Sequence, residues 1–177
     1  VGQSKETLTY LKVLGATRCY PLLMVGRKYL LSKDFNRLIR AVEILTVRHS
    51  TIEKRDAKNL ENLYQGLARD IKMSVNFDKV LIKLREQSKE ISNEIFETNF
   101  REYEPENTQI AKYILLKIEN HITGEKTVSL DWEKLTLEHI LAKGAEWEGN
   151  YEFKERLGNM TLLSEPLNKS VGSKPFN

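Results

Sequence analysis

Four polar side chains near the end of the chain are of the types that metal-assisted hydrolysis needs: Glu138, His139, Asn159 and Asn168. A carboxylate and a carboxamide oxygen are hard ligands, better suited to magnesium or manganese than to copper. A histidine titrates near neutral pH, so beside such a pair it can take a proton from water. A divalent cation held there would stabilise charge on a phosphate and on its leaving oxygen. A second asparagine can accept the histidine's other ring N–H and fix its tautomer. Taken singly, each residue has an ordinary explanation. Glu138 suits a solvated strand, His139 a hydrogen-bonded structural position, Asn159 a turn after Gly158, and Asn168 a helix surface. Their order and company point to a site.

The elements that must position them follow from the apolar pattern. Leu135, Leu137 and the run at Ile140 and Leu141 are short and bounded by polar residues, which predicts a strand. Met160 to Leu163 predicts a second strand, entered through Gly158. Ser164, Glu165 and Pro166 then give a hydroxyl cap, an acid and a proline, the signals of a helix start. The expected order is strand, long loop, strand, short helix. Asn168 falls one turn inside that helix, where its side chain can point back at the hairpin. Neighbouring strand residues face opposite sides, so Glu138 and His139 can share a ligand only where the strand ends or bulges. A strand end is expected there.

At these residues the chain resembles a known family. Glu-His-Ile-Leu (Glu138 to Leu141), Leu-Gly-Asn-Met-Thr-Leu-Leu (Leu157 to Leu163) and Leu-Asn-Lys-Ser (Leu167 to Ser170) are similar to the His-Asn-Asn variant of the HNH nucleases. The closer likeness is to the C-terminal nuclease domain of GmrSD-type modification-dependent restriction enzymes and related anti-phage proteins. The resemblance implies cleavage or nicking of DNA in restriction of foreign DNA. By motif, it makes His139 the general base, Glu138 and Asn168 the ligands of Mg2+ or Mn2+, and Asn159 the residue that orients His139. Lys169 and Lys174 would then lie near the scissile phosphate. Asn159 and Asn168 stand nine residues apart, which suits a strand followed by a helix turn. The family usually has proline three residues after the histidine; Ala142 stands there in this chain, which removes a turn signal but no chemical group. The resemblance also implies an NTPase or sensor module on the same chain or on a partner subunit.

Composition sets bounds. The 177 residues suffice for one domain with a real core or for two small ones, and 40% hydrophobic with 30% charged residues is ordinary globular material. No apolar run approaches the ~20 residues of a membrane helix. Val1 to Ser4 carries no signal-peptide pattern, and one cysteine excludes an internal disulfide and the zinc-stapled branch of HNH proteins. A cytoplasmic location is expected. Net charge is +3, but through Leu60 there are 12 Lys and Arg against 5 acids. That excess fits a phosphate-binding face and equally a solvated helical one.

Upstream of the site the chain reads as helices, so the expected fold is mainly α with a small β-hairpin-plus-helix metal site of HNH type. Leu8, Leu11 and Leu14 mark a helix ended by Gly15, and Pro21 opens the next. Ser32 or Asp34 is expected to cap a third, with Phe35, Leu38, Ile39, Val42 and Leu45 inward. Arg37 and Arg40 on its other side are candidate contacts to DNA backbone, with Arg27, Lys28 and Arg48 nearby in sequence. His49 is expected at the helix end, complementing its dipole. Leu60 to Ile71 is the clearest helix; a fifth starts at Asn76-Phe77-Asp78, and Ile91, Ile95 and Phe96 mark a sixth. The acid-rich stretch Asn99 to Asn107 reads as a connector, dividing a basic helical region, 1–104, from the site region, 105–177. A long helix is expected from Pro105 to Ile122, with His121 as a capping residue and Gly124 ending it. The loop from Ala142 to Arg156 holds Trp147, Tyr151 and Phe153 among basic residues, suited to packing on sugar or bases or to anchoring the loop. The end at Lys174 to Asn177 follows the site helix abruptly, as at a cut boundary or a loose tail.

No P-loop glycine motif occurs, so nothing supports nucleotide hydrolysis by these residues. Two other readings fit the same residues. One is a non-catalytic DNA-binding module; the other is a helical partner-assembly module with a purely structural hairpin.

Overall fold

A computed structural model of the chain describes residues 2–124, 134–141 and 153–171. It is mainly helical, with one two-stranded antiparallel hairpin. The chain forms two compact units, Val1–Phe100 and Arg101–Asn177.

The first unit is all helix. α1 (Gly2–Val13) gives way at Gly15, whose φ of +65° lies in the left-handed region that favours glycine. α2 (Tyr20–Tyr29) has Pro21 in its first turn, where the missing N–H costs nothing. α3 (Ser32–Thr46) is the central element and packs against α1, α2 and α5. Its buried residues Phe35, Leu38, Ile39, Val42 and Leu45 recur at helical spacing, each leucine worth about 1.5–3 kcal/mol of burial. α4 (Glu61–Lys72) packs on α2 and adds Tyr64, Leu67 and Ile71 to the core. α5 (Phe77–Lys89) is capped by Asn76, whose side chain accepts from Asp78 N at 2.9 Å, and adds Val80 and Leu84. α6 (Asn93–Arg101) follows. Gly26 allows α2 to approach α3 closely: a Cβ there would stand 2.5 Å from Leu38 Cδ2.

Two local expectations need correction. Ser32 is the first helical residue of α3 rather than its cap; Leu31 holds the cap position without a side-chain bond. The helix also does not end at His49. It continues through a π-turn, Val47–Ile52, that buries the ring. Burial, and then the nearby Arg55 charge, lower the His49 pKa against the opposing pull of Glu90 and Asp56. A neutral ring cannot complement a helix dipole.

In the second unit, α7 (Thr108–Thr123) starts at Asn107, whose side chain accepts from Ile110 N at 3.0 Å. It stops at Gly124, left-handed at φ +74°. β1 (Leu135–His139) and β2 (Met160–Ser164) pair in register, Leu135 opposite Ser164 and His139 opposite Met160. α8 (Glu165–Val171) follows β2 without a break. Both α7 and α8 pack on both strands. Leu135, Leu157 and Met160 are buried. The Lys112 ammonium donates to the Leu135 carbonyl, and Leu157 N donates to Tyr103 O at 2.8 Å, fixing the entry to β2. No described helix is long and apolar enough to cross a membrane.

Candidate functional site

Two of the four expected side chains meet. Asn168, one turn into α8, donates its side-chain N–H to Glu138 Oε1 at 2.6 Å across 30 residues of chain. The sequence dictates this locally. β2 ends at Ser164, Glu165 and Pro166 start the helix, and the first turn brings residue 168 back over the hairpin.

The contact also tests whether the pair could hold a hard cation. Magnesium ligands at about 2.1 Å and at right angles lie about 3 Å apart. The Glu138 oxygen and the Asn168 amide are already within that spacing. Amide oxygen and nitrogen exchange places by a half-turn of the carboxamide, so Asn168 can present oxygen instead. The residues fit a magnesium-type site completed by water and phosphate oxygens. The described residues contain no cluster of three or more His, Cys, Asp or Glu that could hold a metal, and one carboxylate with one carboxamide is not such a cluster.

The family profile described as GmrSD restriction endonucleases, C-terminal domain, matches residues 90–177. That segment belongs to the GmrSD C-terminal domain family. No curated protein matches the chain. The match gives the segment a restriction-endonuclease-related function.

Within this GmrSD C-terminal domain, His139 is the last residue of β1, at the expected strand end. Alternation still assigns it to the face shared with buried Leu135 and Met160, opposite the face of Glu138. Its side chain is 17% exposed, and its Nε2 is buried with no hydrogen-bond partner among the described residues. The Glu155 carboxylate stands 3.8 Å from Nε2, beyond hydrogen-bonding distance. Glu155 was not legible beforehand; it lies in a charged loop with no periodicity to single it out.

Asn159 is committed to backbone. Its Oδ1 accepts from Leu141 N at 2.8 Å, and its Nδ2 donates to Leu141 O at 3.2 Å and Lys154 O at 3.0 Å. Its own carbonyl accepts from Ile140 N at 2.8 Å. These bonds close the mouth of the hairpin just beyond His139. The motif leads one to expect Asn159 to hold the ring; its described hydrogen bonds brace the chain that carries the ring. Tyr103 is the second buried orphan. Its hydroxyl has no partner among the described residues, and burial, then Glu106, push its pKa up to about 12.

The basic candidates divide. Arg37 is ion-paired with Asp34 at 2.9 Å and Asp78 at 2.7 Å, so its charge is compensated. Arg40 is exposed. Lys174, the Lys169 side chain, Ala142, Trp147 and Tyr151 lie outside the described residues.

Proposed function

We propose that residues 90–177 are a metal-dependent DNA endonuclease or nickase domain of a restriction or anti-phage system. Glu138 and Asn168 would hold one Mg2+ or Mn2+ ion. Such an ion, when bound, supplies charge stabilisation at a phosphate and its leaving oxygen. His139, turned from Glu138 by strand alternation but standing at the strand's end, would take the proton of the attacking water there. With Nε2 buried, Nδ1 is the nitrogen for that transfer, and Nε2 keeps its hydrogen. Glu155 faces the ring from 3.8 Å, placed to attract the imidazolium that forms. Asn159 keeps the end of β1 rigid, and Lys169 and Lys174 follow Asn168 closely enough in sequence to meet the same phosphate. Recognition and its control belong to an NTPase or sensor module elsewhere on the chain or on a partner.

The observation that carries this reading is the Glu138–Asn168 contact inside the family-matched segment. Plasmid nicking by wild type and by His139→Ala, with Mg2+ or Mn2+, tests it. Loss of nicking in the variant by about 100-fold or more is expected for a general base. Equal activity would remove His139 from the chemistry, and no activity in either would favour the non-catalytic module.

A further inference from the structure

The first unit contains an open cavity of about 640 Å³ between α3 and α5, lined also by Ile91, Ser92 and Asn93. This is within the usual size of a small-molecule pocket. Its walls carry five cations and no acid: Arg37, Arg40, Arg48, Arg85 and Lys89. Arg37 is neutralised by Asp34 and Asp78. Arg48 is different. Its guanidinium donates to the carbonyls of Ser88 at 3.1 Å and Ile91 at 2.5 Å and lies 4.7 Å over the Phe96 ring. Neutral acceptors fix that group in place without cancelling its charge. Arg40, Arg85 and Lys89 are exposed and have no ion pair among the described residues. Arg85 and Lys89 stand one turn apart on α5, an arrangement of like charges that costs stability in a helix.

The floor is apolar. Ile44, 49% exposed, supplies the apolar surface, with the buried Leu81 and Leu84 packed beneath it. A phosphodiester backbone alone needs cations and no such floor. An apolar floor with uncompensated cations above it matches a ligand with a flat, weakly polar body and a phosphate group.

We propose that the α3–α5 cavity binds a nucleotide, its phosphates on Arg40, Arg85 and Lys89 and its base against Ile44. The nucleotide can be free or the phosphorylated end of a nucleic-acid strand. This site is independent of the nuclease reading: it lies wholly in the first unit, and its test does not use cleavage.

The test is fluorescence titration of the full 177-residue chain with trinitrophenyl-ATP, followed by displacement. Saturable one-to-one binding is expected, at least about tenfold weaker in Arg40→Ala/Arg85→Ala, since each side chain supplies a charged hydrogen bond. Ile44→Ser should weaken it severalfold. All three side chains are exposed, and circular dichroism would verify that the variants fold. Displacement by unlabelled ATP supports a free nucleotide; stronger displacement by a short 5′-phosphorylated oligonucleotide supports a strand end. Four results would each overturn the proposal: no saturable binding, equal binding in the variants, displacement by inorganic phosphate as effective as by ATP, or binding of duplex DNA alone.

Discussion

The Asn168 side chain hydrogen-bonds the Glu138 carboxylate at 2.6 Å, joining the first turn of α8 to the end of β1. As an amide-to-carboxylate bond it is an ordinary tertiary tie. As two oxygen donors it would supply two of the six ligands of a magnesium ion. Asn168→Asp separates the two. Without divalent ions, the variant sets two carboxylates against each other, and the second unit should melt at a lower temperature than wild type. Millimolar Mg2+ or Mn2+ should restore much of the loss and should also raise the wild-type midpoint, by less than it raises the variant's. Differential scanning fluorimetry with and without the ions reads this directly; a loss that no ion repairs would mean the pair is structural.

Asn159→Ala removes three side-chain hydrogen bonds, to Leu141 N, Leu141 O and Lys154 O. At roughly 1 kcal/mol each, the expected cost is about 2–3 kcal/mol in the second unit. Urea unfolding measures it. A change below about 0.5 kcal/mol would show that these bonds do not hold the hairpin.

Gly26→Ala tests the crossing of α2 over α3. The new methyl would meet Leu38, which is fully buried and cannot swing away. Overpacking should cost about 1–3 kcal/mol, outweighing alanine's better helix propensity of about 1 kcal/mol. A stabilised variant in urea unfolding would place the two helices further apart.

His49 gives a pH dependence with a definite sign. Its folded pKa lies below the unfolded value of 6.5, so the unfolded chain binds the proton more readily. Its contribution is intact above that value and is lost as pH falls through it towards the folded pKa. The melting temperature of the first unit should fall between pH 7 and pH 5, and His49→Gln should flatten that slope. An unchanged slope would assign the acid sensitivity to other groups.

How far the sequence reaches depends on the range of the interaction. The two strands, the helix after them and the return of Asn168 to Glu138 were legible, because short apolar runs and the Ser164-Glu165-Pro166 start are local signals. So were Gly15, Asn76 and Gly124, each a cap or turn set by its own backbone. The partners of Asn159 were not. A carboxamide chooses between a ring and backbone amides according to loop geometry, and no spacing encodes that choice. The π-turn that buries His49 was missed for a similar reason: one extra residue per turn leaves the apolar pattern of α3 almost unaltered. The α3–α5 cavity needs two helices to exist, so Arg40 and Arg85, far apart in sequence, gave no joint signal.

The most direct measurement is an electron paramagnetic resonance titration of Mn2+ into the chain with an uncleavable phosphorothioate DNA duplex present. One bound ion per chain is expected for wild type, with binding weakened by at least the roughly 10- to 100-fold that loss of an outer-shell partner costs in Glu138→Ala and in Asn168→Ala. No bound ion in wild type, or equal binding in both variants, would contradict a metal site built from these two residues.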